Sequence, residues 1–154
     1  MPAFVTVDGE HGYWVGGAFF DLWLLLLALH IHPSEALDSL EARISNQWLY
    51  AARTNVGGLE ADRLEEFARE PAALEIIRSA LASLTETLER LPETINPDAF
   101  ELLGFGADRN FAPTPRSDLL AMAAAFADLL DGRIEARAGD KLDALGRYGR
   151  SPSA

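Results

Sequence analysis

Residues 16–31, GGAFFDLWLLLLALHI, are apolar on nearly every side, and no other stretch limits the fold as strongly. A helix that is hydrophobic all round has no face for solvent, so it is either the centre of a core or a membrane span. A span needs about 20 apolar residues, more than this run supplies. Asp21 lies inside it, and an acid at a bilayer centre costs roughly 2.5–3.5 kcal/mol on insertion scales. The expectation is a buried central helix over 17–30. Pro33 stops it, because the residue before a proline is pushed out of the α region.

The remaining chain supplies elements to surround that helix. Residues 4–7 (FVTV) and 13–15 (YWV) flank the turn-rich DGEHG and predict a hairpin, which is marginal alone and must lie on the helices. Ser34, followed by Glu35 and Asp38, is read as the N-cap of a helix to Arg53, with Leu37, Leu40, Ile44 and Trp48 inward. A shorter helix over 59–69 is expected to bury Leu64 and Phe67. Pro71 suits the first turn of the next helix, where Leu74, Ile77, Leu81, Leu84, Leu88 and Leu91 recur three and four apart as a heptad-like seam ending at Pro92. Asn96-Pro97-Asp98 predicts a short helix to Leu103, closed by Gly104 and Gly106. Residues 107–116 read as a loop. Ser117 is expected to cap a last helix with Leu119, Met122, Phe126 and Leu129 inward, and Gly132 to end it at C′. Residues 133–147 are ambiguous, and 151–154 read as a disordered tail.

The fold class expected is therefore all-α: a compact bundle of five to six helices around the apolar helix, with a small N-terminal β-hairpin, in one domain over 1–150.

Charge narrows the function. Of 154 residues 24 are acidic and 13 basic, a net charge of −11. Residues 1–42 hold six acids and no base, and residues 60–101 hold eleven acids against four bases. Such a surface repels nucleic-acid phosphates and anionic membranes, so no nucleic acid and no membrane is expected as a partner. A charged partner should be basic. Without cysteine there is no disulfide framework or thiolate chemistry, and the first residues lack the basic region of a secretory signal, so a cytoplasmic location is expected.

Candidate chemistry is sparse. His11, His30 and His32 are the only histidines, and residues two apart on a helix point to different sides, whereas ligand pairs sit three or four apart. They read as structural, capping carbonyls. Asp21 must be paired, hydrogen-bonded or protonated, and Arg43 and Arg53 are possible partners. The motifs for nucleophilic and metal-assisted hydrolysis are absent, and no cofactor is expected. The leading expectation is a non-enzymatic, acidic bacterial binding protein of the immunity or antitoxin type, an inhibitor that occludes a basic toxin or effector. Its contact surface would hold Glu60, Asp62, Glu65, Glu66 and Glu70, with Trp48 or Tyr50, which cannot both face inward, as an aromatic anchor. Alternatives are a small enzyme or metal-binding protein using Asp21 with His11, His30 or His32, and a helical scaffold, as monomer or homodimer, without a site.

Overall fold

A computed structural model describes residues 2–32, 36–54, 62–96, 98–102 and 113–139. The chain is mostly helical and opens with an antiparallel hairpin: β1 (Pro2–Thr6) pairs with β2 (Gly12–Gly16), Phe4 opposite Trp14. These two rings lie 5.2 Å apart on one face, while Val5, Tyr13 and Val15 turn into the core, the alternation a half-buried ribbon requires.

Helix α1 (Gly17–Leu29) is the expected central element. Leu22, Trp23, Leu24 and Leu25 are all buried, and four consecutive positions at 3.6 residues per turn cover most of the circumference. On one side Leu22 and Leu25 meet Ala52 of α2 (Leu40–Thr54). On another, Trp23 meets Phe126 of α6 (Arg116–Leu130) edge-on at 5.9 Å. Ala18 and Leu29 near its ends are exposed, and Asp21 and Leu26 between them are half-buried.

Helix α2 starts later than expected. Ser34 lies outside the described residues, but residues 36–39 form a turn, and it is Ser39 whose Oγ accepts the Ala42 N–H at 3.1 Å. Ser39 supplies the same capping chemistry five residues on. Leu37, expected inward, is therefore 94% exposed, while Ile44 and Trp48 are buried as expected. Trp48 packs edge-on against Phe67 of α3 (Leu64–Ala68).

Helix α4 (Pro71–Glu89) begins with proline in its first turn and buries Ile77, Leu81, Leu84 and Leu88 within the chain. Asn96 accepts the Asp98 N–H at 2.9 Å to start α5 (Asp98–Leu102). Leu103, Gly104, Gly106 and 107–112 lie outside the described residues, as do 140–154 and the expected tail. Helix α6 begins at Arg116, one residue before the expected Ser117 cap, behind Pro115. It ends in a Schellman motif: Gly132, at φ 70°, donates to the Leu129 carbonyl and Arg133 to that of Asp128.

Two features amend the all-α expectation. Strands β3 (Thr94–Ile95) and β4 (Thr114–Pro115) pair antiparallel, and residues after α6 lie along the hairpin, with His11 bridged to Arg137, the Gly12 N–H donating to the Ala136 carbonyl and Trp14 Nε1 donating to that of Ala138. Helices α3 and α5 are five residues each, single turns rather than bundle members.

The β3–β4 pair sets α4 and α6 antiparallel, and an arginine closes each end. Arg78 of α4 donates to the Leu130 carbonyl at 3.0 Å and pairs with Asp131, while Arg116 of α6 donates to the Leu91 carbonyl at 2.7 Å. Each guanidinium meets the negative end of the other helix, where the last carbonyls lack intrahelical partners. The Arg78 contact holds the Asp131 carboxyl below its ordinary range.

Candidate functional site

The hairpin tip is built around one carboxylate. Asp8 Oδ1 accepts the backbone N–H groups of Glu10 and His11, both at 2.7 Å, and Oδ2 lies 2.7 Å from His11 Nδ1. Thr6 adds a bond at 3.2 Å and itself accepts the Gly9 N–H. Charge-favouring bonds of this kind, led by the backbone N–H of His11, hold the Asp8 carboxyl far below the usual carboxylate range. Gly9 completes the turn at φ 83°, a left-handed conformation open to glycine.

This tip sits on α3. A Cβ placed on Gly9 would lie 3.6 Å from Glu65 Oε2. Asp8 and Glu10, the neighbours of Gly9 in the first acid-rich region, are thereby brought beside Glu65 of the second, whose Glu66 follows on α3 and Glu70 just beyond it. The two charge deficits thus touch at one point, between residues more than fifty positions apart in sequence. The bases there are few and loosely placed: Arg69 reaches Glu65 at 3.8 Å and Arg63 reaches Glu66 at 3.9 Å.

The expected contact residues divide. Glu66 and Glu70 are exposed; Glu65 is half-buried against the hairpin. Asp62 is structural, its carboxylate accepting the Leu64 N–H at 2.8 Å and its carbonyl accepting Trp48 Nε1 at 2.9 Å. Glu60 lies outside the described residues. Trp48 is 0% exposed, so the aromatic anchor expected of it is corrected: it is core. Tyr50 is the outward one at 59% exposure, but it stands about 200° around α2 from Trp48, the residue that faces α3. Asp8 and Glu10 were missed as neighbours of Glu65, because DGEHG reads in sequence only as a turn.

Of the residues considered for an enzyme or metal site, His11 and His30 are each held by a local partner. His11 is bound to Asp8, while His30, at the end of α1, places Nδ1 2.9 Å from Ser83 Oγ. Asp21, past the first turn of α1, lies nine residues before His30, a rise of about 13 Å. Arg43, considered as a partner for Asp21, lines a cleft with Arg63. His30 and His32 do share a cleft of about 580 Å³ with Glu41 and Glu75 over Leu40 and Ile76. Burial, with His32 nearby, lowers the basicity of His30, so it is a neutral hydrogen-bonding group at neutral pH. Among the described residues no three His, Asp or Glu side chains are grouped to hold a metal ion. No helix of the described residues is long and apolar enough to cross a membrane. Comparisons with protein-family models, curated proteins and solved structures found no match.

Proposed function

We propose that this chain is a cytoplasmic, non-enzymatic binding protein that occludes a basic partner protein, in the manner of a bacterial immunity protein or antitoxin blocking its toxin. The observation that carries this reading is the seating of Gly9 on Glu65, which brings two acid-rich regions together. Joined there, they focus the field of a chain carrying −11 and steer a cationic surface toward it. Asp8, ionised far into the acid range, and the exposed Glu10, Glu66 and Glu70 would stand in for a polyanionic substrate of the partner.

The test is recovery of a basic protein from the source cell, followed by stopped-flow association. The association rate should fall steeply with salt, and charge reversal at Glu10, Glu66 and Glu70 together should slow it by about tenfold or more, with dissociation little changed. Glu65 and Asp62 are left out of that set because both hold the fold. A partner whose binding ignores salt and these three acids removes the electrostatic mechanism. Turnover of a small molecule that is lost in a folded His30→Ala variant replaces the inhibitor with an enzyme working in the His30 cleft.

A further inference from the structure

Between α2 and the residues leading into α3 lies a second cleft, about 310 Å³, lined by Arg43, Asn46, Gln47, Arg63 and Phe67. Arg43, Asn46 and Gln47 stand at positions i, i+3 and i+4 of α2, one face of the helix. Arg63, just before α3, and Phe67, within it, complete the lining. No acid is among these five residues.

Three observations set this cleft apart. Arg43 forms no ion pair among the described residues, although acids outnumber bases 24 to 13. Arg69, Arg78 and Arg133 each have a carboxylate within 4 Å; Arg53, Arg90 and Arg116 have none among the described residues, but Arg43 is the one of these that lines a cleft with a second arginine. The Arg63 contact to Glu66 is a 3.9 Å approach between two exposed groups, which solvent screens. Arg63 also has the one positive φ among the described non-glycine residues, 51°, and a β-carbon makes that conformation costly. Its neighbours impose it: the Asp62 carbonyl is held by Trp48 Nε1 and the Asp62 carboxylate by the Leu64 N–H. Backbone strain that the surroundings enforce is characteristic of ligand-holding positions.

We propose that this cleft binds a small oxyanion, the carboxylate or phosphate group of a small organic molecule. Two arginines lining one cleft offer guanidinium forks whose paired N–H donors suit planar carboxylates and phosphates. Asn46 adds a carboxamide donor, and Phe67 offers an apolar surface to the ligand's body. The volume sits at the lower end for ligand pockets, about 300–1,000 Å³, and suits a small molecule. Glu66, 3.9 Å from Arg63, repels a polyanion, so the ligand carries one oxyanionic group rather than a chain of them. This site does not depend on the basic-partner reading.

The test is a titration of the ¹⁵N-labelled full chain with inorganic phosphate and, separately, with sodium benzoate, at fixed ionic strength. Saturable shifts of the Arg43 and Arg63 Nε–H signals and the Asn46 side-chain amide are expected, with those of Arg53 and Arg90 unmoved. Arg43→Gln and Arg63→Gln should each weaken binding by about tenfold or more. Arg63→Gly, which relieves the left-handed strain, should melt no lower than wild type while losing binding, and so separates site from fold. A response to phosphate alone assigns a phosphate ligand and a response to benzoate alone a carboxylate. The proposal is overturned if neither probe gives a saturable shift up to about 10 mM, a range weaker than specific small-ligand sites, or if all arginine signals move alike.

Discussion

Arg116→Met tests whether the arginine at the start of α6 holds the end of α4. The variant keeps most of the aliphatic stem and the backbone N–H that donates to the Glu93 carbonyl at 2.8 Å, and removes only the guanidinium that donates to the Leu91 carbonyl at 2.7 Å. A hydrogen bond to a charged group contributes about 1.5–3 kcal/mol. Arg116 is half-exposed, so water recovers part of that loss and the expected cost is about 1–2 kcal/mol. For a domain of this size each kcal/mol moves the melting temperature by about 2–4 °C, giving a fall of about 2–8 °C. Urea denaturation followed by far-UV circular dichroism measures it directly. Arg78→Met removes the other end of the clamp, about 20 Å away along α4, so the two effects should add to within about 0.5 kcal/mol. Salt separates them: the Arg78 loss includes an ion pair with Asp131 and should shrink as salt rises, whereas the Arg116 bond to a neutral carbonyl should not. An Arg116→Met protein that unfolds at the wild-type urea midpoint would refute the clamp.

Two further outcomes follow from the same geometry. Gly12→Ala places a Cβ 1.9 Å from the Val5 carbonyl oxygen, a backbone atom that cannot step aside, so the hairpin must shift at a cost of about 1–3 kcal/mol or more; a denaturation midpoint equal to wild type would contradict the close approach. His30 has its pKa lowered by burial and by His32, so the folded state binds fewer protons there than the unfolded chain, and the stability this contributes is present above the ordinary imidazole value of 6.5 and lost as pH falls through the lowered folded value. Melting temperature should therefore drop as pH is lowered from 7.5, and His30→Asn should flatten that part of the profile; an unchanged slope would sink the assignment.

Local pattern carried much of the fold. The apolar run of residues 16–31 allowed one outcome, burial, and Leu22 to Leu25 are all buried. Pro71 at the first turn, the Leu/Ile seam of α4, the Asn96 cap and the Gly132 terminus were legible because each depends on neighbours within about one helical turn. Charge was legible as a sum and as two regions along the chain. Where local signals competed, sequence had no means to choose: Ser34 and Ser39 offer the same capping chemistry, and the choice of Ser39 turned Leu37 outward. Trp48 and Tyr50 were known to face differently, and only packing against Phe67 decided which was core.

The rest belongs to tertiary structure, because it joins residues that no local rule relates. The two-residue β3–β4 pair, the arginine clamps between α4 and α6, and the strand-like run of residues 136–138 along the hairpin all close contacts between distant segments. The two acid-rich regions meet only because Gly9 lets the hairpin tip approach Glu65, and Arg63 keeps its left-handed place in the second cleft because Asp62 is bonded to both Trp48 and Leu64. By itself the sequence determined a largely helical chain with a buried apolar helix and an excess of acid. Which acid-rich segments come together, and which arginines line one cleft, was decided by packing, since electrostatic and hydrogen-bonding reach depends on separation in space and not on separation along the chain.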